Sequence, residues 1–331
     1  MKPTWAVVAT VDEPAALVVA FAAHHLAQGA ASVHVFLDQP DAEAAVMLAN
    51  LPGCAVTVCD AAYWAASRKG SRPALHTARQ IHNARQVYAQ CKADWLLHCD
   101  ADEFVRDGAA VAVALAEAQD SAMYLRLRVA ERAYPQDAAE ETIFSGVFRH
   151  DLPDYPRNGP EIYGEMQEFF HHGLTGHKAG KALVRVGAGQ KMALHAPYGK
   201  PPHQVIQTTR LLHFDGLTRL HFGLKLLRRA YEPPSSASDR HGAARNMQFL
   251  SLREAVANPA LRAALISALK VLDRRQMTQL RRLGCLDEAG FDPRPALAAA
   301  GLAPDLTAAA FDAHLRQRYA GFLAEYAPDL A

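Results

Sequence analysis

The sequence predicts an α/β protein, because apolar segments of strand length alternate with helical patterns in its N-terminal part. Four such segments occur before Asp100, at 5–10, 32–37, 55–58 and 95–99. Alternation of this kind favours a mostly parallel central sheet flanked by helices. Ligands of such sheets bind beyond the carboxyl ends of the strands, so polar residues at those ends are candidate site residues.

The predicted helices between these strands begin and end at residues that are typical of helix termini. Pro14 suits the first turn of the first helix, and Gly29 can end it. The second helix, at 41–50, stops before Pro52, and a third is predicted at 77–89. The polar residues of this third helix include Gln80, Asn83 and Arg85. We interpret them as its solvated face, and contact with a bound ligand is the alternative.

Beyond about Asp120 the alternation gives way to loops and then to helices. The segment 131–180 is rich in Pro, Gly, His and acidic residues, which predicts long loops with short strands, where binding residues concentrate. Further strands are predicted at 123–129, 181–186, 191–195 and 207–214. Further helices are predicted at 218–231, 260–283 and 308–326. The segment 231–245 contains Pro233-Pro234 and is predicted to be a linker or mobile loop, followed by a helical C-terminal extension at 246–331.

Composition narrows the class of protein. The chain has 331 residues, half of them apolar, which is enough for a large core. A formal net charge of +1 gives no reason to expect nucleic acid as a partner. Five cysteines without a Cys-x-x-Cys pair fit a reducing compartment. The apolar run at 15–23 is too short to cross a bilayer, so we predict a cytoplasmic protein, with peripheral binding at the inner face of a membrane left open.

The acidic sequence after the fourth strand is the strongest functional signal. Asp100 and Asp102 are separated by one residue, and Glu103 follows directly. Carboxylates that face one small volume repel each other unless a cation lies between them, and hard oxygen ligands suit Mg²⁺ or Mn²⁺. A metal held by one or two carboxylates keeps positions for substrate phosphates, which predicts a nucleotide-dependent enzyme. A solvated acidic turn is the alternative, and Glu103 is either a base or a residue that holds the loop.

A second cluster combines glycine with basic side chains: His177, Gly180, Lys181 and Arg185. Glycine lets a backbone approach phosphate, and Lys and Arg supply positive charge. The cluster is therefore a candidate for contacts to a diphosphate or an acceptor, with Lys181 the preferred member. An ordinary loop that enters an edge strand would explain the same residues.

Histidines and acids elsewhere supply the remaining candidates. His24 and His25 are adjacent on a helix and are interpreted as packing residues. His213 ends an apolar run and is a candidate metal or diphosphate ligand. Asp215 leads the candidates for general base because it follows His213 in a turn that contains glycine, ahead of Glu165 and Glu168.

Several of these segments together resemble the family 2-like glycosyltransferases. The similarity is greatest to the bacterial branch that shares an Asp-x-Asp-Glu-Phe signature with the family 92 enzymes. The segments are Thr10-Val11-Asp12-Glu13, His24-His25-Leu26 with Gly29, Val33 to Asp38, and Trp95 to Phe104.

The resemblance implies a GT-A-type fold at 1–230, with a nucleotide-binding half at 1–120 and an acceptor-side half at 121–230. It also implies transfer of a sugar from a nucleoside-diphosphate sugar to a saccharide or lipid-linked hydroxyl acceptor, with inversion and with Mn²⁺ or Mg²⁺ on the diphosphate. Synthesis of a surface polysaccharide or glycolipid would use such an activity. By position, the resemblance places Thr10, Asp12 and Asp38 near the nucleoside, Asp100 and Asp102 at the ribose and metal, and His213 near the metal.

Two other functions are compatible with the same motif. Phosphatases and phosphotransferases of the haloacid-dehalogenase type also use an Asp-x-Asp strand end, but they place Thr or Val where this chain has Phe104. A noncatalytic nucleotide-sugar-binding protein is the third reading. Basic helical faces leave a membrane-surface role open beside that of a solvated helix; they contain Lys225, Arg228, Arg229, Arg274, Arg275, Arg281 and Arg282.

Overall fold

The computed structural model describes residues 2–67, 70–199, 201–231 and 242–331. Its strands, in chain order, are β1 (Trp5–Val11), β2 (Ser32–Leu37), β3 (Cys54–Val58), β4 (Trp95–His98), β5 (Glu103–Val105), β6 (Tyr124–Pro135), β7 (Val147–His150), β8 (Lys181–Arg185), β9 (His203–His213), β10 (Val271–Leu272) and β11 (Leu286–Asp287). Its α-helices are α1 (Ala15–Ala27), α2 (Ala42–Ala49), α3 (Ala61–Ala66), α4 (His76–Gln90), α5 (Gly108–Ala116), α6 (Tyr155–Tyr163), α7 (Arg219–Ala230), α8 (Ala243–Glu254), α9 (Pro259–Lys270), α10 (Arg274–Arg282), α11 (Arg294–Ala299), α12 (Ala308–Arg318) and α13 (Ala320–Tyr326). The predicted α/β class is confirmed.

The chain forms two compact units, each built from separate segments. Unit 1 contains the chain up to Val129 together with Ala179–Leu212 and Asp292–Pro304. Unit 2 contains Ala130–Lys178, His213–Phe291 and the chain from Asp305 onward. The sequence-based domain division stays a prediction. Most of the predicted linker, 232–241, lies outside the described residues.

Unit 1 carries the parallel part of the sheet. Strands β4, β1, β2 and β3 are neighbours in that order and pair in parallel. Strand β8 then pairs with β4 in the antiparallel sense, and the first half of β6 pairs with β8 likewise. All seven residues of β1 are buried, as expected for a central strand covered on both faces. The parallel arrangement therefore holds for the four long strands that precede the acidic loop, whereas β8 and the first half of β6 are antiparallel to their neighbours.

Unit 1 also confirms how the first helix packs. Helix α1 starts directly after Pro14 and ends before Gly29, whose φ of 91° suits a residue without a side chain. His24 and His25 are both buried, and Nε2 of His24 lies 2.8 Å from the carbonyl oxygen of Val105. Burial lowers the pKa of His24 to about 4 and that of His25 to about 3, so both rings are neutral packing groups.

Unit 2 contains fewer strands than unit 1, together with most of the C-terminal helices. The second half of β6 pairs with β7 in the antiparallel sense and with β10 in the parallel sense, and β11 pairs with β7. The unit buries aromatic rings together with several charged side chains. Its described charged residues with 0% exposure are Glu131, Arg132, Arg149 and Lys270.

Three sequence-based element assignments were wrong. The segment 191–195 is irregular, and the carbonyl oxygen of Met192 accepts a hydrogen bond from Nε of Arg85 instead of joining a strand. The helix predicted at 260–283 is two helices, because Asp273 and Gln276 form a capping box that begins α10. The helix predicted at 308–326 is likewise interrupted at Tyr319. Within the described residues, no helix combines the length and hydropathy needed to span a bilayer.

Candidate functional site

Three strand ends of unit 1 meet one face of helix α4. Thr10 is near the carboxyl end of β1, Asp38 follows β2, and Asp100 follows β4. Three side chains of α4 each donate a hydrogen bond to one of these residues. Nε of Arg79 donates to Asp38, Nε2 of Gln80 to Asp100 and Nδ2 of Asn83 to Thr10. The structure therefore brings together the strand-end residues that the sequence selected.

The interpretation of Gln80 and Asn83 as a solvated face was wrong. Gln80 is 6% exposed and Asn83 is 0% exposed. The spacing did indicate that these side chains share one face of the helix. Arg79 and Gln80 lie four and three positions before Asn83, and residues so spaced are neighbours on a helix surface. Arg85, two positions after Asn83, is exposed as expected.

Asp38 is held by arginine. Nε and Nη2 of Arg79 donate to its two carboxylate oxygens, each at 2.7 Å, and Nη2 of Arg72 donates at 3.0 Å. Burial alone would raise the pKa of Asp38, but hydrogen bonds from His76 and Arg79 outweigh it and hold the pKa well below its usual range. Asp38 is therefore ionised and its position is set by a bidentate ion pair.

Lys181 lies between two acids of the loop after β4. Its Nζ is 2.6 Å from Oδ2 of Asp100 and 3.2 Å from Oε2 of Glu103. The same oxygen of Glu103 accepts the backbone N–H of Asp100 at 2.9 Å. The side chains of Lys181 and Glu103 are 1% and 3% exposed, whereas that of Asp100 is 37% exposed. Glu103 therefore holds the loop, and Asp100 presents its carboxylate at the surface.

The charges in this group stabilise one another. Burial would lower the pKa of Lys181, but Asp100 and Glu103 raise it above its usual range. Desolvation would raise the pKa of Asp100, but the charge of Lys181 holds it well below its usual range. Asp100 is thus a carboxylate and Lys181 an ammonium at neutral pH.

The loop carries oxygen atoms of the kind that Mg²⁺ and Mn²⁺ take as ligands. Among the described residues, no three or more His, Cys, Asp or Glu side chains are arranged to hold a metal ion. Mg²⁺ is commonly bound through one or two carboxylates together with substrate phosphates. Asp100 accepts one hydrogen bond on each oxygen, and a carboxylate has about four lone-pair positions. Asp100 and the buried Asp102 therefore have the chemistry for such a site.

Arg185 does not share this edge of the sheet. It pairs with Trp95 at the start of β4, whereas Asp100 follows the end of that strand. Its guanidinium donates to the carbonyl oxygens of Ala122 and Gln119 and lies 4.4 Å from the ring centroid of Trp95. This geometry disfavours Arg185 as a contact to the same cofactor as Asp100, because β8 runs antiparallel to β4 and carries Lys181, not Arg185, to the acidic loop.

The other predicted residues have varied surroundings. Asp12, in unit 1, follows β1 and is half-buried. His177 and His213 belong to unit 2, where His177 is exposed and His213 is half-buried beside Gly176. The alternative bases Glu165 and Glu168 are exposed on a 3-10 helix, Gly164–Phe169.

Asp215, in unit 2, is surrounded by donors. It is 2% exposed and accepts from Nη1 and Nη2 of Arg245 at 2.8 and 3.1 Å and from Oγ1 of Thr175 at 2.9 Å; Nζ of Lys225 is 3.4 Å away. Burial would raise the pKa of Asp215, but Arg245 and Lys225 hold it well below its usual range. A general base works best with a pKa near the working pH, so this geometry disfavours Asp215 as the base.

The sequence did not reveal a second buried carboxylate in unit 2. Glu131 is 0% exposed and accepts hydrogen bonds from Nη2 of Arg149 at 2.8 Å, from the backbone N–H and hydroxyl of Thr175 at 2.8 and 2.9 Å, and from the backbone N–H of Gly176 at 2.7 Å. Glu131 therefore holds the loop that precedes His177. It stands at the start of the segment predicted to form loops, where a buried acid is not expected, which is why it was missed.

Comparison with known proteins gives faint similarities. No model of a protein family matches the sequence, and no curated protein matches it. Among solved structures, TarS 1-349 from S. aureus is similar with a TM-score of 0.34 and 8% identity, covering 77% of this chain and 72% of that chain. A 4-diphosphocytidyl-2C-methyl-D-erythritol synthase is similar with a TM-score of 0.27 and 13% identity, covering 42% of this chain and 66% of that chain. At these TM-scores and identities, the likeness does not by itself define a fold family or an activity.

Proposed function

We propose that the protein is a glycosyltransferase of the GT-A type that moves a sugar from a nucleoside-diphosphate sugar to a hydroxyl acceptor, with inversion. The observation that carries the proposal is the convergence of Thr10, Asp38 and Asp100 on one face of α4 in unit 1. This is the end of a parallel sheet at which nucleotide ligands bind.

The exposed end of the hydrogen-bond network between α4 and the strand ends suits a diphosphate. Asp100 and Asp102 would hold Mn²⁺ or Mg²⁺ together with the donor phosphates, and the ion would stabilise negative charge on the departing diphosphate. Lys181 keeps the carboxylate of Asp100 ionised and oriented through a contact of 2.6 Å. Glu103 keeps the backbone of the loop in place by accepting the N–H of Asp100. The residues of this chain therefore prepare the carboxylates before the donor arrives.

The inner end of the network suits the nucleoside. The ion pair between Asp38 and Arg79 and the hydrogen bond between Thr10 and Asn83 are buried, so they form a rigid polar floor. Asp12 follows Thr10 by two positions and is half-buried, and its carboxylate would accept from a ribose or base. The acceptor would be a saccharide or a lipid-linked sugar. With the latter acceptor, the protein would work in the cytoplasm at the inner face of the membrane, in polysaccharide or glycolipid synthesis.

The proposal is tested by turnover and binding together. We expect nucleoside diphosphates with Mn²⁺ to raise the melting temperature, and a nucleotide sugar to be hydrolysed slowly without acceptor. Asp102→Asn should lower Mn²⁺-dependent turnover by about 100-fold or more, because losing even an indirect partner of a metal ligand costs about 10–100-fold. Asp120→Asn, at an exposed turn of the same unit, is the matched control and should keep activity.

Each alternative function predicts a different outcome of these experiments. Unchanged turnover in a folded Asp102→Asn variant would remove the metal assignment. Tight nucleotide-sugar binding without turnover would favour the noncatalytic protein. Hydrolysis of phosphate monoesters in preference to nucleotide sugars would favour the haloacid-dehalogenase type.

A further inference from the structure

The phenol of Tyr63 holds the buried amide of Asn83 in unit 1. Tyr63 is on α3, where its backbone N–H donates to Oδ1 of Asp60 at 2.8 Å and its ring packs edge-on against Trp64, with centroids 4.9 Å apart. Its hydroxyl donates to Oδ1 of Asn83 at 2.6 Å. Because the backbone and the ring of Tyr63 are both held, the hydroxyl meets Asn83 in a defined direction.

A second amide competes for the same hydrogen. Oε1 of Gln86 lies 2.8 Å from the hydroxyl oxygen of Tyr63, which has one hydrogen to donate. Asn83 is 0% exposed, whereas Gln86 is exposed. A buried carbonyl oxygen without a donor is costly, while water replaces the donor of an exposed one. The hydrogen therefore belongs to Asn83, which is also the shorter contact.

Asn83 passes this orientation on to Thr10. With its oxygen facing Tyr63, the amide of Asn83 donates from Nδ2 to Oγ1 of Thr10 at 2.9 Å. The same nitrogen is directed at Sγ of Cys59, 3.7 Å away. Burial raises the pKa of Tyr63, so the phenol keeps the hydrogen that the amide oxygen accepts. Without that phenol, the amide could turn over and accept from the Thr10 hydroxyl instead.

Thr10 is left with a hydrogen to donate. A threonine hydroxyl has one hydrogen and two acceptor lone pairs. Within the described parts of the chain, the Thr10 hydroxyl makes one hydrogen bond, and in it Thr10 is the acceptor. Thr10 is 3% exposed and lies near the carboxyl end of β1. A buried hydroxyl hydrogen without an acceptor is costly, so a ligand that brings an acceptor atom to it gains affinity.

We propose that Tyr63 is a positioning residue of the donor site, because through Asn83 it keeps the Thr10 hydroxyl available as a hydrogen-bond donor to the nucleoside. This step rests on the proposed function, which puts the nucleoside at the inner end of the hydrogen-bond network between α4 and the strand ends. Tyr63 acts through Asn83 and not on the substrate. The arrangement selects a nucleoside that presents an acceptor to Thr10, such as a base carbonyl or a ribose oxygen, over one that presents an N–H.

Calorimetry with Mg²⁺ tests the step with two kinds of ligand. Nucleoside diphosphates carry both the nucleoside and the diphosphate, whereas inorganic pyrophosphate carries only the part that is bound at the exposed end. Tyr63→Phe keeps the packed ring and removes the hydroxyl. We expect it to weaken binding of the nucleoside diphosphate that wild type prefers by about tenfold, which is typical of one hydrogen bond, and to leave pyrophosphate binding unchanged. With the nucleotide sugar, KM should rise while kcat changes little.

Two control variants separate this role from a structural one. Tyr88→Phe also removes a hydroxyl from unit 1, but that hydroxyl donates to the carbonyl oxygen of Arg185 at 2.8 Å, which is remote from the acidic loop. It should cost a similar fall in melting temperature without loss of nucleoside affinity. Gln86→Ala removes the exposed competitor and should bind nucleoside diphosphates as wild type does.

A double variant tests the route through Thr10. Thr10→Val should weaken nucleoside diphosphate binding with the same selectivity over pyrophosphate. Adding Tyr63→Phe to it should cause little further loss, because both changes remove one effect. Additive losses would overturn the route through Thr10.

Three further results would overturn the positioning role. They are a loss in Tyr63→Phe no larger than in Tyr88→Phe, an equal loss in Gln86→Ala, and equal weakening of pyrophosphate and nucleoside diphosphate. Failure of the proposed function gives a different result, because the wild-type protein would then bind no nucleoside diphosphate.

Discussion

Nζ of Lys181 lies 2.6 Å from Oδ2 of Asp100, and the two residues are 81 positions apart in the chain. This ion pair explains how neighbouring carboxylates of the acidic loop can be held close together. Neighbouring carboxylates need a cation, and a buried ammonium supplies one to Asp100 and Glu103 before any ligand binds. The donor site proposed above is thus neutralised by the chain itself on its inner side.

The first prediction concerns the removal of this ammonium. Lys181→Met keeps most of the apolar volume but leaves Asp100 and the buried Glu103 without their cation. Breaking a buried pair in this way costs about 3 kcal/mol, so we expect the free energy of unfolding to fall by about that amount. Urea unfolding measures the change.

Lys191→Met, at an exposed lysine of the same unit, is the control and should be close to wild type. Protonation relieves acids that have lost their cation, so the deficit of Lys181→Met should be smaller at about pH 4.5 than at about pH 7.5. A variant as stable as wild type at both values would show that the pair contributes nothing.

The second prediction concerns the bidentate pair of Asp38 and Arg79. Arg79→Lys retains the charge but cannot donate from two nitrogens to both oxygens of Asp38. We expect a loss of about 2 kcal/mol in the free energy of unfolding at neutral pH. The control is Arg85→Lys, because Arg85 is on the same helix α4 but exposed.

The pH dependence of that loss has a defined sign. The folded pKa of Asp38 is lowered, so its ion pair stabilises the protein above the unfolded pKa of about 3.9 and is lost as the pH falls through the folded value. The difference in free energy of unfolding between wild type and Arg79→Lys should therefore shrink below about pH 4. If the difference in free energy of unfolding stayed constant between about pH 7 and about pH 3, ionisation of Asp38 would not be its cause.

The sequence predicted the strand ends better than the partners that hold them. Apolar runs of strand length located Thr10, Asp38 and Asp100, because a buried strand and its end are local features of the chain. The pairing of Lys181 with Asp100 depends on β8 lying antiparallel to β4, which no local pattern encodes.

Side-chain burial in the helices was equally hard to predict. Gln80 and Asn83 have polar side chains, and the usual inference for such residues is exposure. They are buried because strand-end acceptors face them, which is a tertiary contact. The pairing of Asp215 with Arg245 is likewise non-local, and it changed the interpretation of Asp215 from base to counter-ion.

The third prediction uses the buried Lys270 of unit 2. Burial lowers the pKa of Lys270 to about 7, and the charges of Glu131 and Asp215 offset this only in part. The unfolded chain keeps the proton up to about pH 10.4, so it binds more protons than the folded protein between those values. Stability should therefore rise with pH above about pH 7, by at most about 1.4 kcal/mol per unit from this group.

Lys270→Met removes the titrating group and should flatten this rise. Urea unfolding at about pH 7.5 and pH 9 compares the slopes of wild type and variant. Lys178→Met, at an exposed lysine of unit 2, should keep the wild-type slope. Identical slopes for wild type and Lys270→Met would mean that Lys270 stays charged in the folded protein.

The fourth prediction concerns Gly180, the residue before Lys181. Its φ is +65°, and a Cβ atom there would lie 1.9 Å from the carbonyl oxygen of Leu127 in the same unit. Gly180→Ala therefore suffers both backbone strain and a backbone clash, and should lower the free energy of unfolding by about 3 kcal/mol.

Gly187 is the control: its φ is +77°, but no atom lies within 4 Å of a Cβ, so Gly187→Ala should cost only about 1 kcal/mol. Because Gly180 leads directly into Lys181, the first variant should also lose the stabilising effect of nucleoside diphosphates, whereas the second should keep it. Equal costs at the two glycines would show that the close approach to Leu127 is not required.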